Sequence, residues 1–551
     1  MGEEKKRLPV GLENFEQIIN DNYYYVDKTG LISELIRNGG MVNLFTRPRR
    51  FGKTLNMSML EHFFSIERDQ SIYDGLEISK DTKLCEEYMG KYPVISISLK
   101  GINAATYEDA FDFAVRIMKK VARNVQFLLG SDALSDYDKL EYKELLNNNM
   151  SEAAFCGGLK ILSELLEKHY GTKVVLLIDE YDVPLQSAYL NGYYDDMVFF
   201  LKNMLSAALK TNDALEKGIL TGCLRIARES IFTGLNNFKV ITIFDDTSNQ
   251  QFGFTQKEMD LLLSDYQAEA YRDKVKEWYD GYQFGSCDIY NPWSVLMYIE
   301  KLNKTHMHEP ESFWANTSGN DIIYRYIKEA NPKMREEFDI LVSGGVIEKP
   351  IKDTITYREM DQINNVYSFL LFTGYLKAMK CVDNEKRIYQ LSIPNKEIKQ
   401  IYVSIFSEWF NEQVEHNGTS FVEALRKEQI RNATEILNNV LFQSISYFDY
   451  DEKFYHGLLL GMLNDYIVAS NKEYGLGRAD IAILPRSIMD RGLILELKIA
   501  TSMAEVRSMA QKACEQIRQQ KYMEGLLANG YEDVIGYGIA FYKKSCVITK
   551  V

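Results

Sequence analysis

Phe45-Thr46-Arg47-Pro48-Arg49-Arg50-Phe51-Gly52-Lys53-Thr54 follows a short apolar run, 41–45, and precedes a segment with helical periodicity. The order is strand, loop, helix. In the phosphate-binding pattern G-x-x-x-x-G-K-[ST], backbone N–H groups cradle phosphates, the Lys reaches the β- and γ-phosphates, and the hydroxyl binds Mg²⁺. Gly52, Lys53 and Thr54 fit. Arg47 stands where the first Gly belongs, and Pro48 restricts it further. Gly-Lys-Thr alone also suits an ordinary helix start with an exposed lysine, so the decision rests on the flanking chain.

Downstream, Leu55, Met57, Met59, Leu60 and Phe63 mark a helix over 54–64, and Pro93-Val94-Ile95-Ser96-Ile97-Ser98-Leu99 alternates as a strand does. Helical stretches follow at 107–129 and 140–170. Then comes Lys173-Val174-Val175-Leu176-Leu177-Ile178-Asp179-Glu180, a continuous aliphatic run of the kind buried on both faces of a parallel sheet. Two more strands are predicted at 218–221 and 238–244. Strands alternating with helices predict a three-layer α/β domain whose ligands bind at the carboxyl ends of the strands. The loop at 47–54, the pair Asp179-Glu180 and the stretch 221–228 all fall at such ends. Upstream, the aromatic opening from Leu8 to Phe15 and Tyr23-Tyr24-Tyr25-Val26-Asp27-Lys28-Thr29 leads into an amphipathic helix bearing Leu31, Leu35 and Ile36. It is read as packing against the first strand in preference to touching a nucleotide.

The chain has 551 residues, more than the roughly 300 at which a single core stops growing, so two or three domains are expected. Its seven cysteines are scattered and form no C-x-x-C pair, which speaks against a disulfide framework or a zinc ribbon and for a reducing cytoplasm. No apolar core follows the charges at the N-terminus, and no apolar run approaches the roughly 20 residues of a membrane helix, so no membrane partner is expected. A net charge of −14 supplies no global field for nucleic acid, which must then be held by a local basic patch or through metal.

From 255 to 417 the pattern is mostly helical with aromatic turns, among them Tyr290-Asn291-Pro292-Trp293-Ser294. A boundary is expected in the polar stretch His416-Asn417-Gly418-Thr419. Beyond it the pattern predicts a helix at 421–437, a second helix holding His456, a hairpin at 479–498, a long helix at 504–527 and a closing strand at 534–542.

A strand ending Asp-Glu is the partner a phosphate loop needs. Asp179 would hold Mg²⁺, with Thr54 as the other protein ligand, and Glu180 would orient and deprotonate the attacking water. Arg225 and Arg228 leave the next strand, where one can sense the γ-phosphate; a solvated surface helix is the alternative for both. Arg50, with Arg47 and Arg49, offers cationic contacts to phosphates, or to nucleic acid from an exposed edge.

The segments 46–55, 25–29, Ile178-Asp179-Glu180-Tyr181-Asp182-Val183-Pro184-Leu185, Phe232-Thr233-Gly234-Leu235-Asn236-Asn237 and Tyr290-Asn291-Pro292-Trp293-Ser294 together resemble the bacterial AAA-ATPase-like family. Many of its members carry a C-terminal PD-(D/E)XK nuclease-superfamily domain. The resemblance implies ATP binding at Gly52, Lys53, Thr54, Asp179 and Glu180. It fits an α/β architecture: a P-loop NTPase domain at 1–250, a helical middle or lid domain at 251–417, and a restriction-endonuclease-like α/β domain at 418–551.

In the last of these, strands 477–484 and 493–498 flank a turn-rich stretch. Paired as a hairpin centred near 488, they set Asp480 opposite Glu496, and Lys498, two residues on, shares the face of Glu496. Two carboxylates can bind Mg²⁺ or Mn²⁺, and a lysine can position the attacking water. An exposed cross-strand salt bridge is the plainer reading, but it does not explain charges set among so many aliphatics. The set resembles the PD-(D/E)XK signature, with Ala479 in place of its Pro. His456 resembles the extra histidine metal ligand of one branch of that superfamily, and Gln516 with Tyr522 is loosely similar to that branch's glutamine-to-tyrosine motif. The expectation is therefore an ATPase coupled to a metal-dependent nuclease acting on nucleic acid, DNA before RNA. The alternative is a nucleotide-regulated binding or signalling protein whose nuclease-like domain does not cut. The sequence leaves a homo-oligomer open.

Overall fold

The computed structural model describes residues 5–66, 68–225, 238–305, 308–314, 321–354, 357–361, 363–443, 452–485 and 490–551. The chain forms two compact units, one of residues 1–323 with 346–399, the other of 324–345 with 400–551.

In the first unit, strands β1 (Val42–Thr46), β2 (Val94–Ser98), β3 (Val174–Asp179), β4 (Leu215–Gly222) and β5 (Phe238–Ile241) make a parallel sheet in the order β2-β3-β4-β1-β5. Every residue of β1 and β3 is buried, which is why both read as unbroken apolar runs: a parallel sheet is covered by helices on both faces. Strand β4 lies between them and fixes the register, with Thr46 opposite Gly222 and Ile178 opposite Leu220. That places the carboxyl ends of β1, β3 and β4 side by side. The helical stretch expected at 140–170 is two helices, Asp136–Glu144 and Glu152–Tyr170. Three asparagines at 147–149 break it, and the Ser151 hydroxyl, accepting from the Ala154 N–H, starts the second.

Residues 251–323 belong to the same unit as the sheet, in contrast to the boundary expected at 250. The loop itself explains this. Phe51 is fully buried and packs edge-on against Tyr282 and tilted against Phe284, at 4.9 and 5.2 Å between ring centres. The Gly253 N–H donates to the Phe51 carbonyl. Tyr282 and Phe284 lie on a hairpin of β6 (Tyr282–Phe284) and β7 (Cys287–Ile289). A three-stranded antiparallel sheet of β8 (Ile347–Pro350), β9 (Lys377–Asp383) and β10 (Ile388–Ser392) completes the unit. The middle stretch is thus largely helical but also holds two small sheets, whose strands are too short and too mixed in polarity to stand out in the sequence.

The boundary expected at 417 is also corrected. Helix Lys396–Arg426 runs through it unbroken. Gly418 is not a linker glycine: a Cβ there would lie 1.8 Å from the Met462 carbonyl oxygen, so the position admits only the smallest residue.

In the second unit, β11 (Ile467–Tyr474), β12 (Gly477–Leu484), β13 (Gly492–Ile499), β14 (Val534–Tyr542) and β15 (Ser545–Lys550) form a mixed sheet in chain order, parallel only between β13 and β14. Helix Val506–Gln519 packs on β13, β14 and β15. The long helix expected at 504–527 breaks at Lys521, which adopts a left-handed conformation and starts a second helix, Tyr522–Ala528. Strands β11 and β15 were absent from the sequence reading because both are edge strands, half-exposed and polar.

Glu397, at the start of the helix Lys396–Arg426, is fully buried in the first unit. One carboxylate oxygen accepts from the Ser294 hydroxyl and from the N–H groups of Phe313 and Trp314, each at 2.9 Å; the other has no partner. Burial pushes this carboxyl up to about 7. Between roughly 4.5 and 7 the folded chain keeps a proton that the unfolded chain has released, so stability falls as pH rises through that window. Glu397→Gln is expected to raise the melting temperature at pH 8, by on the order of 1 to 3 kcal/mol of stability, with the advantage fading by pH 4.5. Thermal melts across pH check this, and an equal shift at every pH would contradict it.

Candidate functional sites

Gly52 takes a left-handed backbone, φ 81°, and Lys53 opens the helix Lys53–Phe64. Glycine reaches that conformation without Cβ strain, and the free N–H groups of the first turn form an anion-binding end. The Thr54 hydroxyl donates to Asp179 Oδ2 at 2.8 Å, and Thr221 on β4 donates to Oδ1. Burial, and then the neighbouring Glu180, push the Asp179 carboxyl up. Lys53 is 3 % exposed; its ammonium donates to the carbonyls of Arg47 and Pro48 and stands 3.6 Å from Glu180. Burial alone would lower it, but Cys223, Glu180, Asp182 and Asp179 outweigh burial and hold it above its ordinary value. Glu180 sits just past the end of β3 with φ 53°, a conformation rare outside glycine.

A cleft of about 660 Å³ opens over this loop. Its lining combines an apolar, aromatic cluster of Tyr24, Val26, Phe254, Trp293 and Leu296 with the polar residues Glu180, Gln186, Ser187, Asn103 and Lys100. The opening segment, expected to pack against the first strand, packs instead on the helix that follows it: Phe15 meets Tyr25, His62 and Tyr73, while Tyr24 and Val26 line the cleft.

The three loop arginines part company. Arg47 is fully buried, donates to the carbonyls of Thr46, Ile241 and Ser248, and lies over the rings of Phe252 and Phe284. It is a core residue, which corrects the expectation of a phosphate or nucleic-acid contact. Arg49 donates to Gln186 at 2.6 Å. Arg50, at φ 69°, lies 4.3 Å over Trp293 and lines the cleft. Arg225 pairs with Asp353 at 3.7 Å and is not among the cleft-lining residues. Arg228 and the stretch 232–237 lie outside the described residues.

Asp182, to which the sequence pattern assigns no role, also belongs to the site. It is buried, accepts from the N–H groups of Cys223 and Leu224 at 2.8 and 2.9 Å, and is pushed up to about 6 by burial and Glu180. Gly222 makes room for it, since a Cβ there would meet Asp182 and the Tyr181 ring at 2.7 Å. The signal was present as the third acid in Asp179-Glu180-Tyr181-Asp182.

In the second unit the pairs Ile481↔Leu495 and Ile483↔Leu493 give the register foreseen from symmetry about 488. Just past the last pair, Asp480 Oδ2 accepts from the Leu497 N–H at 2.8 Å. Glu496 is 1 % exposed; Oε1 pairs with Lys498 at 3.1 Å, and Oε2 is buried without a partner. Burial, then Asp480, push the Glu496 carboxyl up to about 7, against the opposing pull of Lys498. A buried, half-satisfied carboxylate beside a second acid is the donor chemistry a hard divalent cation takes. Gln516 and Tyr522 meet at 3.5 Å, and the Tyr522 hydroxyl donates to the Arg478 carbonyl. His456 instead meets Ser470 at 2.9 Å. Among the described residues no three His, Cys, Asp or Glu side chains cluster as a metal site, so the acids Asp480 and Glu496 are not joined by the histidine.

Residues 9–232 match the family described as predicted AAA-ATPase, and residues 450–551 match the PD-(D/E)XK nuclease superfamily. The chain joins an AAA-ATPase-like domain to a PD-(D/E)XK nuclease-superfamily domain. A protein of Azotobacter chroococcum, described as an uncharacterized protein in the vnfD 5′ region, is 28% identical over 299 residues. That alignment covers 54% of this chain and 52% of the relative, so the chain spans about half the length of the protein it matches. The AAA-ATPase-like match takes in the loop, β3 and β4; the nuclease-superfamily match takes in Asp480, Glu496 and Lys498. Among the described residues no helix is long and apolar enough to cross a membrane.

For the AAA-ATPase-like domain, the placement of the arginines separates two effects. Arg47→Ala should cost stability, about 2 to 4 kcal/mol through stranded carbonyls and lost packing, with nucleotide affinity of the folded protein unchanged within twofold. Arg50→Ala should weaken nucleotide affinity at least fivefold with little change in melting temperature. Melts beside a fluorescent-nucleotide titration read both, and the opposite pattern would reverse the assignment.

Proposed function

We propose that the chain is an ATP-hydrolysing protein coupled to a Mg²⁺- or Mn²⁺-dependent nuclease that acts on nucleic acid, DNA in preference to RNA. The observation that carries the reading is the pairing of Thr54 with Asp179 in front of Glu180, matched in the second unit by Asp480, Glu496 and Lys498 on one hairpin. Each set combines carboxylates with a lysine, the minimum that phosphoryl transfer asks of a protein.

At the first site the apolar cluster of Tyr24, Val26 and Trp293 suits a nucleobase, and the loop at Gly52, Lys53 and Thr54 suits the phosphates. Lys53 holds the phosphates, Thr54 and Asp179 are the residues to hold Mg²⁺, and Glu180 orients water and takes its proton. Bound Mg²⁺ neutralises phosphate charge. At the second site Asp480 and Glu496 hold the cation, and Lys498 positions the attacking water and balances charge on the phosphate. Glu496 must be ionised to hold the cation, and burial with Asp480 pushes its metal-free carboxyl up, so cation binding should release a proton and weaken as pH falls.

One observation favours a second reading. Among the described residues two carboxylates converge in the nuclease domain, without His456, as in a module that binds nucleic acid and does not cut. Purified protein with plasmid, linear and single-stranded DNA and RNA, with and without ATP and with Mg²⁺ or Mn²⁺, separates the two. Cutting that Asp480→Ala lowers at least a hundredfold is expected; binding with no cutting under either metal would favour the second. Glu180→Gln should bind ATP and turn it over at least a hundredfold more slowly. If Lys53→Ala abolishes ATP turnover yet leaves cleavage rate and substrate choice unchanged, the coupling is wrong.

A further inference from the structure

Strands β11 and β12 are joined by the turn Tyr474-Gly475-Leu476-Gly477. Leu476 is 72 % exposed, more than any other large apolar side chain among the described residues. Its exposure is not a matter of looseness. The Leu476 N–H donates to the Gln520 carbonyl at 2.8 Å, and three glycines let the turn close onto the helix break at Lys521. A Cβ at Gly475 would meet the Lys521 carbonyl oxygen at 2.3 Å, one at Gly477 the Gln520 side chain at 2.8 Å, and one at Gly525 the Gly475 nitrogen at 2.1 Å. Lys521 itself takes a left-handed conformation there, φ 55°. A rigid turn therefore holds a leucine out in water, which folding alone does not reward.

Charge and register say what it faces. Arg478 and Asp480, two residues apart on β12, share a face of the strand, and Tyr522 fixes the Arg478 carbonyl. Among the described residues the Arg478 guanidinium, 70 % exposed, meets Glu473 alone, which is 77 % exposed, at 3.3 Å; a pair so open to water holds the arginine weakly. Lys521 is exposed at the turn beside the exposed Glu524, whereas Lys472, opposite Ala479, lies on the other face of the sheet. At about 3.3 Å per residue of strand, Arg478 lies about 7 Å from Asp480, about two nucleotides of a strand, and Leu476 sits in the turn beyond it.

We propose that this corner is a nucleic-acid wedge. Arg478 holds a backbone phosphate near the one the carboxylates address, and Leu476 presses against or between bases of a duplex, partly unstacking them. The inference rests on the nuclease reading above, and commits to a duplex as the occupant.

The test uses the full chain carrying Asp480→Ala, so that binding is read without cutting, with a fluorescein-labelled duplex, the matching single strand, and a duplex containing 2-aminopurine. Leu476→Ser is expected to weaken duplex binding at least fivefold, to leave single-strand binding within twofold, and to abolish the 2-aminopurine rise; Leu476→Met restores all three. Arg478→Ala should weaken binding to both and reduce the salt slope by about one. Unaltered melting curves and circular dichroism establish that each variant folds. Duplex binding and base unstacking unchanged in Leu476→Ser would overturn the wedge alone. A shift in oligomeric state in that variant, with nucleic-acid binding intact, would give the leucine to a second copy and also overturn it. No nucleic-acid binding by the otherwise unaltered chain would overturn both this and the nuclease reading.

Discussion

The bond from the Thr54 hydroxyl to Asp179 spans 125 residues of chain, and the geometry of the first candidate site depends on it. It can form only because β4 lies between β1 and β3 and aligns the ends of all three. A one-step slip of either pair would carry Asp179 away from the loop and turn the buried strand faces over. The apolar strands thus do two jobs: they fill the core, and their register sets the geometry of a polar site that contributes nothing to the core.

That polar site is costly to fold. Asp179, Asp182 and Lys53 are all nearly buried, and isolated charges there would be expelled or neutralised. They persist because each is bonded: Asp179 to two hydroxyls, Asp182 through one oxygen to two backbone N–H groups, its other oxygen buried without a partner, and Lys53 to two carbonyls. The nuclease-superfamily domain repeats this mixture. Asp480 has the Leu497 N–H, whereas one oxygen of Glu496 has nothing. An unsatisfied buried carboxylate is a stability cost that a bound cation would offset, which ties the folding of that hairpin to its chemistry.

Much of this was legible in the residues. The runs Val174-Val175-Leu176-Leu177-Ile178 and Leu493-Ile494-Leu495 announce buried strands, and the hairpin symmetry about 488 gave the opposition of Asp480 and Glu496 from arithmetic alone. What stayed hidden was whatever depends on distant partners. Arg47 looks cationic and exposed in a list of residues; only the positions of Phe252 and Phe284 show it to be core. Asp182 needs the N–H groups of 223 and 224, forty residues on. Gly418 reads as a linker until Met462 is seen against it. Edge strands such as β11 and β15 carry too few apolar residues to be read, because half of each faces water.

Those two edges are managed differently. Along β15, Asn438 of the helix Ile430–Gln443 accepts from the Cys546 N–H at 2.7 Å and donates to its carbonyl at 3.3 Å. A side-chain amide there imitates the next strand and occupies the position a foreign chain would take. On β11, Asn471 breaks the run with a left-handed φ of 50° and Lys472 follows it. Each edge is thus interrupted locally, so its weak point is colloidal: loss of Asn438 would first be felt as chains sticking to one another at high concentration, well before any change at the acids two and three strands away.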